Sequence, residues 1–268
     1  MELNLPFGGL ESYVLATSLA TARMTSIITV MPAFTRLGLT GILQATVAVV
    51  LGFPLVPALV VTFQSEHMTL AMIVVLVLKE VTVGLVIGVV LGVPFWAAAA
   101  AGDILDVQRG SNSANLMDPL SLTEEGINGR LFSLIMVALY YGSGGLKVVL
   151  GVVYDSYSIW PAGQLTPVFA ASAGQLIVGL VGTVVSMGLM LAAPLVLSLL
   201  VADLVLALVS RSAPQINAFA LSMAVKNLVL TLLIVLYCGF LVKFMEGDLA
   251  WLNAVKVQLE FMAGGAVK

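Results

Sequence analysis

Six apolar runs restrict what this chain can fold into more than any other feature of the sequence. They are Leu10–Met31, Gly41–Phe63, Leu70–Ala101, Leu131–Val153, Gly174–Val201 (apolar as far as Val209) and Ala218–Val242. Because an α-helix rises 1.5 Å per residue, about 20 apolar residues cross the hydrocarbon core of a bilayer, which is about 30 Å thick. Backbone groups in hydrocarbon must pair within their own segment, and no run alternates like a barrel strand. The sequence therefore predicts an all-α, polytopic integral membrane protein.

The composition supports this class and excludes others. Hydrophobic residues make up 60% of the 268 residues and charged residues only 9%, whereas a soluble domain carries about 25% charged residues. We therefore expect one membrane domain over residues 1–268, with no separate soluble domain. The net charge of −3 leaves no polybasic face for nucleic acid. The single cysteine, Cys238, lies in the last run and is expected to be a small buried residue.

Several features predict irregular helices. Pro54 and Pro57 should kink or break the second run. The third run is too long for one straight crossing and has Pro94 near its end. The tail from Lys243 to Lys268 is mixed in character and predicts a short amphipathic helix.

The basic residues do not decide the orientation in the membrane. If all six runs cross, one side holds Arg36, Arg109, Arg130 and Arg211, and the other holds Lys243, Lys256 and Lys268. Cytoplasmic loops normally carry an excess of Lys and Arg, and four residues against three is no clear excess. Either the number of spans is wrong, or some helices do not cross the bilayer in the ordinary way.

A short pattern occurs twice and is typical of an internal repeat. It consists of a proline, an aspartate nine residues later and then an arginine, found as Pro94, Asp103 and Arg109 and again as Pro194, Asp203 and Arg211. Repeats are common in membrane transport folds. Three matched positions also arise by chance, so both interpretations stay open.

The stretch from Gly102 to Arg130 is unusually polar for this chain. Seven charged residues lie in it: Asp103, Asp106, Arg109, Asp118, Glu124, Glu125 and Arg130. Asp103 and Asp106 share one face if a helix continues past Gly102, and paired carboxylates can bind a cation or exchange protons. No histidine or third acid falls in register, and the only histidine, His67, lies in a short connection. We therefore expect no metal site.

No sequence motif indicates an enzyme. The GxSxG, Walker A, HExxH and dinucleotide-binding patterns are all absent from the sequence. The glycines of YYGSGGL, at 142, 144 and 145, predict a helix break rather than a phosphate loop, because no strand precedes them and no GK[ST] follows. We expect neither catalytic activity nor a cofactor.

Lys79 and Glu80 interrupt an otherwise apolar run. A charge at bilayer depth costs a few kcal/mol, so each should face protein, water or a counter-charge. Adjacent helix positions point about 100° apart, so we expect the two not to pair with each other but to find partners on neighbouring helices or subunits. The alternative is a position near the membrane surface with Lys79 reaching outward. A proton relay is disfavoured, because no second buried acid lies within one turn.

Gly84, Gly88 and Gly92 follow at four-residue spacing. They form a bare stripe on one helix face, which allows another helix to approach closely. The stripe predicts that this helix is packed against protein rather than facing lipid.

A second polar landmark, SRSAPQINAF, covers Ser210–Phe219. Pro214 should mark a helix boundary and Ser212 is a plausible cap. Gln215 and Asn217 offer amide hydrogen bonds to neighbouring chains, and Lys226 lies just beyond. The alternative is an ordinary polar turn between two helices.

The order of these features resembles the FliR/SctT family of export-gate subunits in type III secretion systems, which includes YscT, SpaR and EscT. The matching positions are Lys79-Glu80 with Gly84 and Gly88; Gly102-Asp103 through Asp106, Gln108 and Gly110; Asp118-Pro119; Ser156-Tyr157 with Pro161 and Gly163; Ala193-Pro194; and Pro214-Gln215 with Asn217 and Phe219. The resemblance covers essentially the whole chain. The mixed tail after Val242 is more similar to the injectisome branch than to the flagellar one.

The resemblance implies a subunit of a helical, roughly conical gate in the bacterial inner membrane, through which unfolded polypeptides are exported. It implies helical hairpins with a FliP-like part over about 1–209 and a FliQ-like part over about 210–268, rising above the expected bilayer plane. It further implies FliP/SctR-type and FliQ/SctS-type partner subunits and a switch protein of the FlhB/SctU type. Subunit contacts would involve Pro214, Gln215, Asn217, Phe219 and Lys226.

The resemblance also maps a channel plug onto about Asp106–Leu120. Its residues here are Asp106, Val107, Gln108, Arg109, Gly110, Ser111, Asn112, Ser113, Ala114, Asn115, Leu116, Met117, Asp118, Pro119 and Leu120. Residues 110–115 are small or turn-prone, and Leu116 and Met117 are suited to an adaptable apolar stopper. Asp103 and Asp118-Pro119 would fix its ends.

Two alternatives to a plugged gate remain at this point. One is a stand-alone secondary transporter for a small solute, with Lys79, Glu80, Asp103 and Asp203 lining a midplane site. The other is a purely structural scaffold.

Overall fold

The computed structural model describes residues 10–63, 69–110, 126–167, 169–212 and 218–264. Every regular element in these residues is helical, which confirms the all-α class. The helices are α1 (Leu10–Val30), α2 (Pro32–Thr35), α3 (Ile42–Gly52), α4 (Val56–Phe63), α5 (Leu70–Arg109), α6 (Ile127–Gly142), α7 (Gly145–Ile159), α8 (Ala173–Ser212), α9 (Ala218–Leu249) and α10 (Trp251–Met262). A 3₁₀ turn, Phe53–Leu55, joins α3 to α4.

Five stretches of the described chain are long and apolar enough to cross a membrane, and a sixth results if α6 and α7 are counted together. The predicted fourth span is therefore wrong as one continuous helix: it breaks at Ser143-Gly144, where Gly144 has φ +78°. The glycine-rich sequence there ends α6 and precedes α7, which confirms the predicted helix break. Pro54 lies in the 3₁₀ turn that breaks the second run, as expected.

The helices α5 and α8 are longer than their apolar runs. Each has 40 residues and continues through an internal proline, Pro94 in α5 and Pro194 in α8. At 1.5 Å per residue such a helix is about 60 Å long, roughly twice the hydrocarbon thickness. The expectation that the third helix ends near Ala101 is therefore wrong. A helix of this length extends well beyond the bilayer core, so a simple count of loop charges cannot assign sides.

The chain divides into two compact units. The first comprises Met1–Gly92, Gly144–Leu180 and Trp251–Lys268, and the second comprises Val93–Ser143 and Val181–Ala250. In the first unit α1 packs against α3 and α4 around Leu19, Leu59 and Phe63, which are buried. In the second unit the Phe95 ring meets the Tyr140 ring edge-on, with centroids 5.4 Å apart.

The tail forms α10, which confirms the predicted short amphipathic helix. Its buried residues are Leu252, Val255, Leu259 and Met262, at the spacing of one helix face. Cys238 corrects another expectation, because it lies exposed on α9. In a helix whose surroundings include lipid or other proteins, an apolar residue need not be buried within its own chain.

The glycine stripe lies against α1. A Cβ built on Gly84 would lie 2.6 Å from Arg23 O and 2.7 Å from the Cβ of Ser26. A Cβ on Gly88 would lie 3.2 Å from the Cβ of Val30. Gly92, one turn further on, is buried. The two helices thus approach closely along this stripe, and most closely at Gly84.

This geometry predicts graded effects of adding one methyl group. Gly84→Ala should lower the free energy of unfolding by about 1–3 kcal/mol, because backbone cannot move aside as a flexible side chain can. Gly88→Ala should cost less. Gly239→Ala is the matched control, since its Cβ would meet nothing within 4 Å and alanine is the better helix former by about 1 kcal/mol. Thermal unfolding in detergent measures the series, and a Gly84→Ala protein as stable as the parent would contradict it.

Candidate functional site

Three buried charges meet in the first unit, and we call Arg23, Lys79 and Glu80 the charge cluster. The side chains of Arg23 and Glu80 are fully buried, and that of Lys79 is 2% exposed. Arg23 Nε lies 2.5 Å from Glu80 Oε2, and Lys79 Nζ lies 2.5 Å from Glu80 Oε1. One carboxylate therefore sits between two cations, which come from α1 and α5.

The three N–H donors of the Lys79 ammonium have three acceptors. Besides Glu80 Oε1, they are the carbonyl oxygens of Pro161 at 2.9 Å and Ala162 at 3.2 Å. An ammonium group has three donors and no acceptor. Its hydrogen-bonding capacity is thus used entirely within the protein.

Arg23 is also held by groups of its own chain. Its Nη1 donates to Ser156 Oγ at 2.8 Å and its Nη2 to the carbonyl oxygen of Trp160 at 2.9 Å. The guanidinium carbon lies 3.6 Å from the centroid of the Tyr157 ring, a cation–π contact. Arg23 therefore joins α1 to α7 and to the residue that follows α7.

The carbonyl acceptors explain how the protein buries two cations with one anion. Trp160, Pro161 and Ala162 directly follow the last residue of α7, Ile159. The final carbonyl groups of a helix lack helical donors and carry the negative end of the helix dipole. The surplus positive charge of the charge cluster is balanced by this carbonyl-rich segment.

The structure corrects one expectation about Lys79 and Glu80. Although they are adjacent in α5, they do pair, because the long, flexible lysine side chain spans the angle between the two positions. Each also has the predicted partner on a neighbouring element, Arg23 for Glu80 and Pro161 for Lys79. Lys79 does not reach outward as the surface alternative requires, since its side chain is buried. Sequence reasoning missed the role of Arg23, although a lone charge in an apolar run was itself the signal.

In the second unit, the end of α5 is tied to the start of α6, and we call Asp106, Arg109 and Asn128 the stem. Asp106 is 1% exposed. Its Oδ2 accepts from the backbone N–H of Asn128 at 2.9 Å, and its Oδ1 accepts from Asn128 Nδ2 at 2.8 Å. Arg109 Nη2 lies 2.7 Å from the same Oδ1. The stem links residues on both sides of the polar stretch.

Asp106 supplies the N-terminal cap that α6 lacks locally. The N-cap residue of α6 is Gly126, which has no side chain to accept a hydrogen bond. A carboxylate at a helix N-terminus satisfies a free N–H and interacts favourably with the helix dipole. A Cβ on Gly126 would overlap the Asp106 carboxylate, so glycine at this position makes room for the cap.

The helices α5 and α6 also touch backbone to backbone beside the stem. A Cβ on Gly102 would overlap the carbonyl group of Asn128 and the nitrogen of Gly129. Asp103 lies one residue further along, and a Cβ on Gly129 would overlap its carboxylate. Gly102 and Gly129 therefore permit the contact that brings Asp103 and Asp106 against α6.

The last turn of α5 is also held by α8 and α9. Lys226 Nζ donates to the carbonyl oxygen of Gln108 at 3.1 Å and lies 2.7 Å from Asp203 Oδ1. Arg109 Nη1 donates to Asn227 Oδ1 at 3.3 Å. Lys226, predicted as a subunit contact, thus makes its described contacts inside its own chain. Asp203 serves as its counter-charge.

The structure corrects the extent of the predicted loop. Residues Asp106–Arg109 form the last turn of α5, and the chain leaves the helix at Gly110, whose φ is +83°. The rest of the predicted plug, residues 111–120 with Asp118-Pro119, lies outside the described residues. So do Pro214, Gln215, Asn217 and His67, while Phe219 lies in the first turn of α9. Within the described residues no three His, Cys, Asp or Glu side chains are grouped to hold a metal ion.

The fold and these two sites define a multi-pass α-helical membrane protein in which the buried charges Arg23, Lys79, Glu80 and Asp106 have partners within the chain. It belongs to the family of bacterial export proteins, family 1, whose sequence model matches residues 14–251.

Three relatives of this chain show the range of proteins to which it is similar. The chain is 33% identical over 160 residues to Yop proteins translocation protein T of Yersinia pestis. It is 34% identical over 163 residues to surface presentation of antigens protein SpaR of Salmonella typhimurium, and 28% identical over 147 residues to flagellar biosynthetic protein FliR of Escherichia coli. These alignments cover 60%, 60% and 54% of this chain and 61%, 60% and 55% of the respective relatives.

Proposed function

We propose that this chain is a non-enzymatic subunit of the export gate of a type III secretion system. In this proposal it lies in the bacterial inner membrane and forms, with FliP/SctR-type and FliQ/SctS-type subunits, the channel through which unfolded polypeptides pass. The observation that carries the proposal is the family match over residues 14–251. The names of the relatives, which refer to Yop translocation and flagellar biosynthesis, point to protein export in both branches.

The charge cluster supports a structural rather than a catalytic use of the family motifs. Ser156, Tyr157 and Pro161 all contact Arg23 or Lys79. Lys79 and Glu80 bond to groups of their own chain, so their charges stabilise the fold. This arrangement gives no support to the transporter alternative, which needs these two charges to bind a solute.

The exposed apolar surface supports a membrane subunit with partners. Large side chains on α8 and α9, such as Val178, Leu208 and Leu236, are exposed in the isolated chain. Lipid and partner helices would cover them. The proposal keeps the division into a FliP-like part over about 1–209 and a FliQ-like part over about 210–268, with Pro214, Gln215, Asn217 and Phe219 at subunit contacts and an FlhB/SctU-type protein as a further partner.

We further propose that the segment from Gly110 to Leu120 plugs the closed channel, with the stem as its anchor. This plug is shorter than the predicted one by the four helical residues Asp106–Arg109. Its fixed point is the stem, in place of Asp103 and Asp118-Pro119. A plug requires that the ends of its segment are fixed, and Asp106 fixes them by joining α5 to the first turn of α6.

Deleting Gly110–Leu116 is expected to make cells leaky to ions and small molecules while the complex still assembles, because the segment blocks the pore rather than building it. Ion leakage of the membrane and the yield of the complex measure the two effects. The matched control is a Gly-Ser replacement of the same length, which keeps the connection but removes the Leu116 stopper. Unchanged leakage in an assembled complex would contradict the plug and favour a structural scaffold.

Co-purification distinguishes the gate from a solute transporter. The tagged full-length chain, extracted in mild detergent, should bring with it small helical membrane proteins and be unstable without them. Solute uptake into vesicles by the purified chain alone would contradict the gate.

A further inference from the structure

The C-terminal end of α5 is capped by a lysine from another helix. The last four carbonyl groups of a helix have no donor within the helix and carry the negative end of its dipole. In α5 the carbonyl oxygen of Val107 accepts from the backbone N–H of Gly110 at 3.0 Å, and that of Gln108 accepts from Lys226 Nζ at 3.1 Å. The ammonium group of Lys226 therefore lies where a positive charge stabilises the end of the helix.

Asp203 of α8 holds Lys226 in this position. Its Oδ1 lies 2.7 Å from Lys226 Nζ and accepts from Ser222 Oγ at 3.4 Å. We call Asp203, Lys226 and the carbonyl oxygen of Gln108 the clasp. All three residues belong to the second unit. The clasp thus joins the last turn of α5 to α8 and α9 within one compact unit.

The clasp differs from the stem in its exposure to solvent. The side chains of Asp203 and Lys226 are 35% and 13% exposed, whereas that of Asp106 is 1% exposed. Ion pairs that solvent reaches contribute little to stability and are weakened by salt. A local opening at the end of α5 should therefore break the clasp before it breaks the bonds between Asp106 and Asn128.

The clasp and Asp106 also hold different parts of the helix end. Asp106 lies three residues before the last helical residue, Arg109, and bonds to the start of α6. The clasp holds Gln108. A second hydrogen bond to α9, from Arg109 Nη1 to Asn227 Oδ1, is longer at 3.3 Å and exposed. Opening of the clasp can thus release the final residues of α5 while Asp106 keeps its place.

We propose that the clasp is a releasable link through which α8 and α9 control the last turn of α5. With the clasp closed, the turn is helical and the chain leaves it in a fixed direction at Gly110. When α8 or α9 moves, the clasp opens first, the last turn unwinds, and the chain after it gains length while Asp106 still anchors it. The regulatory part of this inference rests on the proposed function, in which the segment after α5 plugs the channel.

Hydrogen exchange in the full-length chain, purified with the membrane proteins that accompany it, tests the link itself. Lys226→Met preserves most of the side-chain length but removes the charge and the donors, so exchange of the peptide that covers the last turn of α5 should speed up about tenfold. Exchange at the start of α6 should not change, because Asp106 still caps that helix. Lys256→Met is the matched control, since Lys256 also lies 2.7 Å from an aspartate oxygen, but in the first unit.

Salt provides a second measurement that does not depend on a variant. Raising the ionic strength from about 0.1 M to about 1 M should speed up exchange of the last turn of α5 in the parent but not in Lys226→Met. If Lys226→Met does not fold, the salt response of the parent decides alone. Unchanged exchange in Lys226→Met, equal acceleration at the start of α6, or a parent that does not respond to salt would overturn the clasp.

Ion leakage separates this inference from the proposed plug. In the assembled complex, Lys226→Met should leak more than the parent but less than the deletion of Gly110–Leu116. A leaky deletion together with a tight Lys226→Met complex would overturn control by the clasp and leave the plug intact. A tight deletion would overturn the plug, whereas the exchange measurements would still decide whether the clasp holds α5.

Discussion

Replacing Glu80 with Gln is expected to lower the free energy of unfolding by about 3–5 kcal/mol, the largest effect of any single change proposed here. The change preserves the shape of the side chain but removes the only anion of the charge cluster. Arg23 and Lys79 would then remain buried as two like charges, and both are almost completely excluded from solvent. Fluorescence-detected size-exclusion chromatography and thermal unfolding measure the loss.

A second substitution tests whether charge is the cause. Arg23→Met added to Glu80→Gln removes one of the two unbalanced cations, and Lys79 keeps its carbonyl partners Pro161 and Ala162. The double variant should therefore be more stable than Glu80→Gln alone. Glu246→Gln, at an exposed position of α9, is the control and should behave as the parent. If the two losses simply add, the charges of the cluster are not coupled and the interpretation is wrong.

Replacing Asp106 with Ala is expected to lower the free energy of unfolding by about 2–3 kcal/mol, since it removes a helix cap and leaves buried donors without an acceptor. The donors are the backbone and side-chain N–H groups of Asn128, together with the Arg109 guanidinium. Asp106→Asn should cost less, because its amide oxygen still accepts one hydrogen bond. Hydrogen exchange of the peptide that covers the first turn of α6 should speed up in the same order.

An aspartate outside the stem gives the matched control. Asp155 also pairs with a cation, Lys256, but that pair is about half exposed. Exposed ion pairs contribute little, so Asp155→Ala should change neither stability nor exchange in α6. If Asp106→Ala left the exchange of Asn128 unchanged, the cap would not hold the start of α6, and the stem could not anchor the following segment.

The helical class, the number of apolar stretches and the amphipathic tail could be predicted because each depends on local pattern. Apolar runs of sufficient length must form helices in a bilayer, whatever their neighbours are. The close packing at the glycine stripe could be predicted for a similar reason, since three small residues on one helix face create a surface for close packing. The break at Gly144 followed from local glycine content.

The end of α5 could not be predicted in this way. The apolar run ends near Ala101, with Pro94 close to that end, and the family resemblance maps a loop onto about Asp106–Leu120. In the structure α5 continues to Arg109, because Asp106 and Arg109 find partners on α6 and α9 that make a polar helix end favourable. A short-range pattern contains no information about such partners.

The pairing of the buried charges likewise shows that a local sequence pattern does not identify distant partners. That Lys79 and Glu80 need partners follows from the local sequence, because an unpaired charge in an apolar run is too costly. The identity of the partners depends on the packing of distant segments: they are Arg23, 57 residues before Glu80, and the carbonyl groups that follow α7. The cost of burying a charge is a local property of the residue. The group that meets this cost depends on which helices pack together, and that is settled by the whole chain.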